Sequence, residues 1–388
     1  MNYFRDLLLS LLVAMVALSS CRKEEEIIPS SRVRVGAPGR PGKIKGFFLL
    51  NEANMGSNKA TLDYYDYTTA FYTRNIYAER NPNVVKELGD VGNDLQIHGS
   101  RLYAVINVSG LIEVMDVRTA KHIGKLSIPN CRYITFKDGF AYVSSYAGPV
   151  KIDPNARLGY VAKVDTATLK VVAECPVGYQ PEELLIQGDK LYVANSGGYR
   201  APNYDKTISI IDLKTFTEEK QVDVAINLHR LQLDNYGKIW ASSRGDYKGV
   251  PSRLFVFDPK SESVTKTLEV ACSNMALSGD SLFFYSSEWS YLTGKNTISY
   301  TVIDTKKQEV IDRNFIKDGT DKEIQLPYGL AINSEQGELY LTDAQDYVHP
   351  GQLHCYDLKT GRRKWSVKTG DIPAHIAFTT QPLHPLHH

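Results

Sequence analysis

Cysteine, methionine, long hydrophobic runs and net charge are all scarce in this chain of 388 residues. Its five cysteines are too few for a scaffold that depends on disulfides. The longest apolar run, residues 7–18, has 12 residues, whereas a membrane-spanning helix needs about 20. The 45 basic and 44 acidic side chains leave a net charge of +1, so we expect no nucleic-acid partner. Tyrosine, by contrast, occurs 24 times, and aromatic residues favour β-strands.

The first 45 residues have the pattern of an export signal followed by a tether. The apolar run of residues 7–18 is typical of a secretory signal peptide, which we assign to residues 1–20. Residues 18–21, Leu-Ser-Ser-Cys, resemble the lipobox of bacterial lipoproteins, which implies lipidation of Cys21. Residues 21–45 are rich in proline and glycine, so we expect a flexible lipidated tether whose lipid is the only membrane contact. A plain signal peptide with an incidental cysteine is the alternative.

An acidic run follows the lipidation site. Arg22 and Lys23 precede three glutamates at positions 24–26. The run resembles the signal that sends lipoproteins of some Gram-negative gut anaerobes to the outer face of the outer membrane. The resemblance implies a cell-surface location, anchored in the outer membrane. The alternative is that these charges only solvate the tether.

A short pattern recurs seven times along the rest of the chain. Two strand-forming residues precede an aspartate, and a turn that in most repeats contains threonine or serine follows it. Successive aspartates are separated by 46 to 53 residues. An aspartate side chain accepts hydrogen bonds from backbone amides just after it, so we expect these residues to cap turns and not to take part in catalysis. The aspartates are Asp66, Asp116, Asp165, Asp212, Asp258, Asp304 and Asp357.

Most repeats contain four short β-rich segments, which we name strands a, b, c and d in chain order. Such a period predicts an all-β fold, a seven-bladed β-propeller of four-stranded antiparallel blades over residues 46–381, with a C-terminal tail at 382–388. The first repeat lacks strand a, whereas residues 372–378 have the pattern of strand a alone. We therefore expect the C-terminal strand to join the first blade and close the ring, which leaves no open sheet edge.

The fourth repeat carries a family resemblance. Residues 191–198 (LYVANSGG) and 207–212 (TISIID) are similar to the YVTN repeat of YncE-like, or surface-layer, propellers. This resemblance covers about residues 46–378 and implies the fold more than the function. Together with the lipoprotein signal and the acidic run, the chain resembles the surface cobalamin-binding propeller lipoproteins of gut anaerobes. That resemblance implies capture of cobalamin (vitamin B12) or a related corrinoid, and its delivery to a TonB-dependent outer-membrane transporter.

Unequal loop lengths indicate which face of the ring is functional. In a propeller the b–c and d–a loops open on one face, and the a–b and c–d turns open on the other. The a–b and c–d turns are tight here, whereas most b–c loops are long, and long loops on a rigid scaffold usually carry function. The long b–c loops are residues 51–60, 146–159, 196–206, 244–251, 288–296 and 344–351.

Aromatic and polar side chains accumulate on these loops and at the starts of the a strands. They suit a ligand with a flat apolar body and a polar fringe, such as a corrin ring, although a carbohydrate or a loop of a partner protein also fits. The predicted ligand-binding residues are Tyr146, Tyr179, Tyr199, Tyr204, His229, Arg230, Arg244, Trp289, Tyr328, Tyr347 and His375.

Catalytic and metal-binding motifs are not evident. The sequence has no His-Glu-x-x-His pair, no phosphate-binding loop and no nucleophile elbow, so we expect a protein that is not an enzyme and has no cofactor or metal of its own. Propeller lactonases hold a metal with Glu, Asn and Asp, so Glu52, Asn195 and Asp343 leave a metal-dependent hydrolase open. A propeller that binds only proteins or glycans is the other alternative.

Four cysteines lie within the predicted propeller. Cys131 and Cys175 belong to the first and last strands of one repeat, so three strand spacings, about 14 Å, separate them. A disulfide cannot span that distance. We expect Cys131, Cys175, Cys272 and Cys355 to be free, mostly buried thiols.

Overall fold

Seven β-sheets form a closed ring. A computed structural model describes residues 29–84, 87–290 and 295–385, with the backbone alone at 289, 290 and 295. Six sheets have four antiparallel strands each, and the seventh has five. The prediction of an all-β, seven-bladed propeller is therefore confirmed. The predicted signal peptide and Cys21 lie outside the described residues.

The strands follow one another around the ring, and we number the blades 1 to 7 in chain order. Blade 1 and the strand outside it are built from β1 (Ser31–Arg34), β2 (Gly46–Asn51), β3 (Thr61–Asp66), β4 (Phe71–Arg74) and β29 (Pro373–Thr379). Blades 2 and 3 are β5 (Gly92–His98), β6 (Arg101–Ile106), β7 (Leu111–Asp116), β8 (His122–Ser127), β9 (Cys131–Lys137), β10 (Phe140–Ser145), β11 (Tyr160–Asp165) and β12 (Lys170–Pro176). Blades 4 and 5 are β13 (Pro181–Gln187), β14 (Lys190–Asn195), β15 (Thr207–Asp212), β16 (Thr217–Asp223), β17 (Leu228–Leu233), β18 (Ile239–Ser243), β19 (Arg253–Asp258) and β20 (Ser263–Leu268). Blades 6 and 7 are β21 (Asn274–Ser278), β22 (Ser281–Ser290), β23 (Lys295–Asp304), β24 (Glu309–Asp312), β25 (Pro327–Asn333), β26 (Glu338–Asp343), β27 (Pro350–Asp357) and β28 (Arg363–Asp371).

Across residues 29–84, 87–290 and 295–385, helical structure is confined to connections between strands. The helix α1 (Ile76–Arg80) follows β4, and Asn75 caps its N-terminus by accepting from the Ala78 amide. Single 3-10 turns occur at Gly198–Arg200 and Thr320–Glu323.

Burial explains the composition of the strands. All six residues of β2 are buried, because neighbouring blades cover both faces of each sheet and a strand buried on both faces needs a continuous apolar run. In the outer strand β16, by contrast, five of the seven residues are exposed and the other two are half-buried. Within the described residues, a buried apolar cluster fills each of the seven interfaces between adjacent blades. Burial of apolar surface between the blades therefore holds the ring together.

The C-terminal strand closes the ring, as the sequence predicted. Strand β29 pairs antiparallel with β2, with Gly46 opposite Thr379 and Leu49 opposite Ile376. The Phe378 ring packs against Phe47, with the two ring centroids 5.8 Å apart. Blade 1 thus contains both ends of the propeller, and β2 has a strand partner on both sides.

The predicted flexible tether over residues 21–45 is wrong for part of its length. Residues 31–34 form strand β1, which pairs with β4 as a fifth strand outside blade 1. The guanidinium of Arg32 lies 4.1 Å from the centroid of the Phe71 ring, and the Gly39 amide donates to the Tyr67 carbonyl at 2.7 Å. The edge of β4 offers free backbone groups, and a proline- and glycine-rich composition does not prevent pairing there.

The repeated aspartates cap the c–d turns, as expected. In six blades the carboxylate accepts the backbone amide two residues later, and in blade 6 it accepts the amide three residues later, at distances from 2.8 to 3.2 Å. These residues are part of the scaffold and lie on the face opposite the long loops.

The cysteine prediction is also confirmed. Cys131, Cys175, Cys272 and Cys355 are free and buried. Burial raises the pKa of the Cys131 thiol to about 12, so this side chain stays protonated and packs as a small apolar group.

His354 on β27 should make the stability of the propeller depend on pH. Its side chain is buried, and Nδ1 lies 2.7 Å from the Ser366 hydroxyl. Burial lowers the pKa of His354 from 6.5 to about 4. On lowering the pH, the unfolded chain binds a proton near pH 6.5 and the folded chain only near pH 4, so stability falls between these values. One pKa unit corresponds to about 1.4 kcal/mol, so the expected loss is about 3 kcal/mol.

Urea unfolding midpoints between about pH 8 and about pH 4 measure this effect. The variant His354→Gln should show a flatter decline than the unmodified chain over that interval. At the upper pH the histidine is neutral in the folded and in the unfolded chain, so the stability difference between the two proteins there is the packing cost of the substitution. Subtracting that difference at every pH leaves the effect of protonation alone. Parallel declines would contradict the expectation.

Candidate functional site

The b–c and d–a loops lie on the same face of the ring. In most blades the first amide after strand b donates to a carbonyl just before strand a, as from Tyr146 to Asn130 at 3.1 Å and from Arg244 to Asn227 at 3.0 Å. We call this face the upper rim. It comprises the b–c loops 52–60, 107–110, 146–159, 196–206, 244–252 and 344–349, and the d–a segments 75–84, 87–91, 128–130, 177–180, 224–227, 269–273, 313–326 and residue 372.

Left-handed backbone turns the chain from the upper rim into the a strands. In five blades the residue just before strand a has a φ between 45° and 60°, although none of these residues is glycine. Such a conformation is unfavourable for a side chain and persists only where the surroundings hold it. Here the hydrogen bonds to the b–c loop hold it. The residues are Val91, Asn130, Gln180, Asn227 and Ile372.

Exposed apolar side chains concentrate on the upper rim. Of the 15 large hydrophobic side chains that are exposed among the described residues, eight lie on its b–c loops. A cluster of exposed apolar residues on one face marks an interaction surface more than scattered ones do. The eight are Met55, Ile152, Leu158, Tyr199, Tyr247, Val250, Tyr347 and Val348.

A buried carboxylate lies below the loops of blades 3, 4 and 5. The Glu182 side chain is 1% exposed, and its Oε2 accepts Nε and Nη2 of Arg132 at 3.2 and 3.1 Å. Its Oε1 accepts Nη1 of Arg244 at 3.1 Å and the Tyr146 hydroxyl. Burial alone would raise the pKa of Glu182, but Arg132 and Arg244 lower it below its ordinary value. Glu182 is therefore an ionised acceptor that holds two arginines in place.

Beside this carboxylate lies a second group, on strand β17. His229 Nε2 lies 3.0 Å from the Tyr133 hydroxyl, and the Arg230 guanidinium lies 5.2 Å from the centroid of the Tyr133 ring. Burial lowers the pKa of His229 well below its ordinary value, and Arg244 and Arg230 lower it further. His229 is thus a neutral imidazole among cations.

On the opposite side of the channel mouth, Glu52 joins two predicted site residues. The Tyr328 hydroxyl donates to Glu52 Oε2 at 2.7 Å, and His375 Nε2 lies 2.9 Å from Glu52 Oε1. Burial, and then the charge of Glu52, raise the pKa of Tyr328 well above its ordinary value, so Tyr328 remains a hydrogen-bond donor. The Tyr347 ring stands edge-on to Tyr328, with the centroids 6.1 Å apart.

The predicted site residues differ in accessibility. Tyr199 and Tyr347 are 36% and 43% exposed. Tyr146 differs from the expectation, because its buried ring lies below Arg132 and its hydroxyl is bound to Glu182. Tyr146 therefore offers no exposed ring at the upper rim and instead helps to hold Glu182 in place. Half-buried side chains are Tyr179, Tyr204, His229, Arg230, Arg244, Tyr328 and His375.

The prediction of a long loop over residues 288–296 is wrong. Strands β22 and β23 extend to ten residues each, and Glu288, Trp289 and Ser290 pair with Thr297, Asn296 and Lys295. The paired strands β22 and β23 are therefore longer than the b and c strands of the other blades. The serine, threonine and aromatic residues in this segment suit a strand. The Trp289 side chain lies outside the described part of the chain.

Sequence reasoning missed Arg132, Tyr133, Glu182 and Glu183 as members of this site. They occupy the second and third positions of strands β9 and β13, the same positions that His229 and Arg230 occupy in β17. Aligning the starts of the a strands would have found them. The exposed aliphatic residues were missed because the sequence reading considered only aromatic and polar side chains.

The three residues proposed for a hydrolytic metal site do not converge. Glu52 binds Tyr328 and His375, whereas the Asn195 amide donates to Thr207 and Ser209. Asp343 accepts the Leu326 amide at 2.9 Å. Among the described residues, no group of three or more His, Cys, Asp or Glu side chains is placed to hold a metal ion. The same residues include no helix whose length and apolar character would let it cross a membrane.

Comparison with known proteins supports the fold. A family model described as "Domain of unknown function (DUF5074)" matches residues 45–379. The chain is similar to hydrazine synthase from Kuenenia stuttgartiensis, at 17% identity and a TM-score of 0.57 over 69% of this chain and 77% of that one. It is also similar to apo AztD from Citrobacter koseri, at 10% identity and a TM-score of 0.52 over 87% of this chain and all (100%) of that one. The comparison with curated proteins finds no similar sequence.

At these identities the solved structures show the propeller fold and nothing about a ligand. The fold itself suggests a binding or protein-interaction role. The exposed apolar side chains of the upper rim, above a polar channel mouth, make that rim the candidate surface.

Proposed function

We propose that this chain, which belongs to the DUF5074 family, captures cobalamin at the cell surface and passes it to a TonB-dependent outer-membrane transporter. It acts as a binding protein and not as an enzyme, anchored in the outer membrane by a lipid on Cys21. The lipobox and the acidic run at its N-terminus support the location. The propeller fold supports a binding role and leaves the ligand open.

The observation that carries the proposal is the composition of the upper rim. Exposed tyrosines and aliphatic side chains from several blades surround a mouth lined by arginine, histidine and tyrosine groups. A corrin ring offers a broad apolar face with amide groups at its edge, so it can contact both kinds of surface at once. A ligand that is only polar would leave the aliphatic groups in water.

Removing two exposed tyrosines should weaken capture. The double variant Tyr199→Ser/Tyr347→Ser should bind cyanocobalamin at least about tenfold more weakly, because each ring offers apolar contact area on the upper rim. Isothermal titration calorimetry of the purified chain measures the affinity. The matched control is Tyr236→Ser, since Tyr236 is 44% exposed but lies in the a–b turn of blade 5, on the opposite face.

The outcomes separate the possibilities. Absence of heat and of spectral change with the unmodified chain at micromolar concentration would remove cobalamin as the ligand. Equal affinities for the double variant and the Tyr236→Ser control would move the site away from these loops.

A second candidate function is docking of a partner protein without a small ligand. The exposed aliphatic side chains of Met55, Ile152 and Val348 favour it, because such residues are common at protein interfaces and contribute little to recognition of amides. Pull-down of the transporter by a chain that binds no corrinoid would support this function over the first.

A further inference from the structure

The half-buried guanidinium of Arg230 makes no hydrogen bond to any residue that the structure describes. Its side chain is 14% exposed, and its closest acidic contact, Nη1 to Glu183 Oε1, is 3.7 Å long. Its Nε is buried and has no hydrogen-bond partner among the described residues. A guanidinium presents five N–H donors in a rigid fork, and leaving buried donors unsatisfied is costly. Within the described part of the chain, the guanidinium of Arg230 therefore has one long ion-pair contact and no hydrogen-bonded acceptor.

The nearby carboxylates are directed towards backbone amides. Glu183 Oε2 accepts the Leu231 amide at 2.7 Å, and Asp94 accepts the amides of Ile134 at 3.0 Å and Leu95 at 2.8 Å. Glu182, in turn, is saturated by Arg132, Arg244 and Tyr146. These acids balance charge around the mouth, but none of them fills the fork of Arg230.

A second arginine beside Arg230 also has donors to spare. Arg244 directs only Nη1 to Glu182 within the described residues, and its side chain is 27% exposed at the start of a b–c loop. Arg230 lies on β17, and Arg244 directly follows the adjacent strand β18 of the same blade, where the Arg230 amide donates to the Ser242 hydroxyl at 3.1 Å. Burial, and then the charges of Arg244 and Arg230, lower the pKa of His229 and keep it neutral. An incoming group thus meets two guanidinium groups and a neutral imidazole.

We propose that Arg230 and Arg244 bind a phosphate oxyanion at the mouth of the channel. Phosphate oxygens match the planar fork of arginine and form short, charge-assisted hydrogen bonds with it. The proposal rests on the proposed function, because cobalamin carries a phosphodiester in its nucleotide loop, and this group is then what the arginines recognise. Free inorganic phosphate offers the same chemistry and is the other source.

Comparing two corrinoids with inorganic phosphate tests this subsite. Cyanocobalamin carries the phosphodiester, whereas dicyanocobinamide lacks the nucleotide loop. We expect the unmodified chain to bind cyanocobalamin at least about tenfold more tightly than cobinamide, and Arg230→Met to reduce that ratio to near one. Calorimetry in a phosphate-free buffer gives the affinities, and a third titration uses inorganic phosphate alone.

The matched control is Arg253→Met. Arg253 begins strand β19 of the same blade and pairs with Glu269 at 2.7 Å, so its removal changes the net charge equally without touching the mouth. The control should keep the ratio of the unmodified chain. If Arg230→Met does not fold, Arg230→Lys retains the charge but not the fork, and its ratio should fall at least about threefold.

Each result distinguishes this inference from the proposed function. Equal binding of the two corrinoids by the unmodified chain, or an unchanged ratio in Arg230→Met, overturns the phosphate subsite and leaves cobalamin capture standing. Failure to bind either corrinoid removes the proposed function. In that case phosphate binding that Arg230→Met abolishes supports the subsite, and absence of phosphate binding overturns it.

Discussion

Removing the C-terminal strand will prevent the ring from closing. A chain that ends at residue 372 lacks the seven residues of β29, so the inner edge of β2 loses its partner from Gly46 to Asn51. It also loses the Phe378 side chain between Phe47 and Tyr340. Net domain stability is only about 5–15 kcal/mol, and one large aromatic in a core is worth about 3–5 kcal/mol. We therefore expect loss of cooperative unfolding and aggregation through the open edge.

Circular dichroism on heating, together with size-exclusion chromatography, measures this outcome. A chain that begins at residue 35 is the control, because it removes β1, the terminal strand at the opposite edge of the same sheet, whose four residues are all exposed at the outside of blade 1. That control should remain monomeric, with a melting temperature within a few degrees of the unmodified chain. A cooperative transition in the C-terminal truncation would show that blades 1 and 7 hold without β29.

Replacing Arg132 with methionine will destabilise the propeller by about 3–5 kcal/mol. Glu182 Oε2 then faces the interior without its two hydrogen bonds, although Oε1 keeps Arg244 and Tyr146. The loss depends on pH in a defined direction. Glu182 has a folded-state pKa below 4.5, so its stabilising effect exists above that value and is lost as the pH falls through the lowered pKa. Arg132→Met should therefore be most harmful near neutral pH.

Urea midpoints at about pH 7 and about pH 4 measure both the size and the direction of this effect. The control is the double variant Arg132→Met/Glu182→Met, in which no carboxylate is left unpaired. It should recover part of the loss, since removing both members of a buried ion pair costs less than removing one. A double variant as unstable as the sum of two single variants would show that the pair does not couple.

The sequence was sufficient for the fold because a propeller repeats its local signals. Each capping aspartate, such as Asp212, makes the same local hydrogen bond in its own turn, so seven copies indicate seven blades without knowledge of any distant contact. Closure of the ring could also be predicted, since residues 372–378 have the pattern of strand a and no strand b, c or d follows them. The extended hairpin of blade 6 and the outer strand β1 were missed, because both depend on an available strand edge and not on composition.

Only part of the candidate site could be predicted from the sequence. The exposure of Tyr199 and Tyr347 could be predicted from loop length, because a long loop must lie at the surface. The burial of Tyr146 against Glu182 could not, since it depends on a side chain 36 residues away in the next blade. The surface location, the YncE-like relationship and cobalamin as the ligand stay predictions.

By itself, then, the sequence determined the number of blades, the closure of the ring, the free thiols and the face that carries the long loops, because each depends on short-range patterns repeated along the chain. Only the tertiary structure decided which charges meet at the channel mouth. Arg132, Glu182 and Arg244 come from three blades and are separated by 50 and 62 residues, measured from Glu182. They meet because the ring brings the starts of the a strands and of the b–c loops together around one axis. No local pattern records which of these charges will pair and which, like Arg230, will keep a donor without a partner among the described residues.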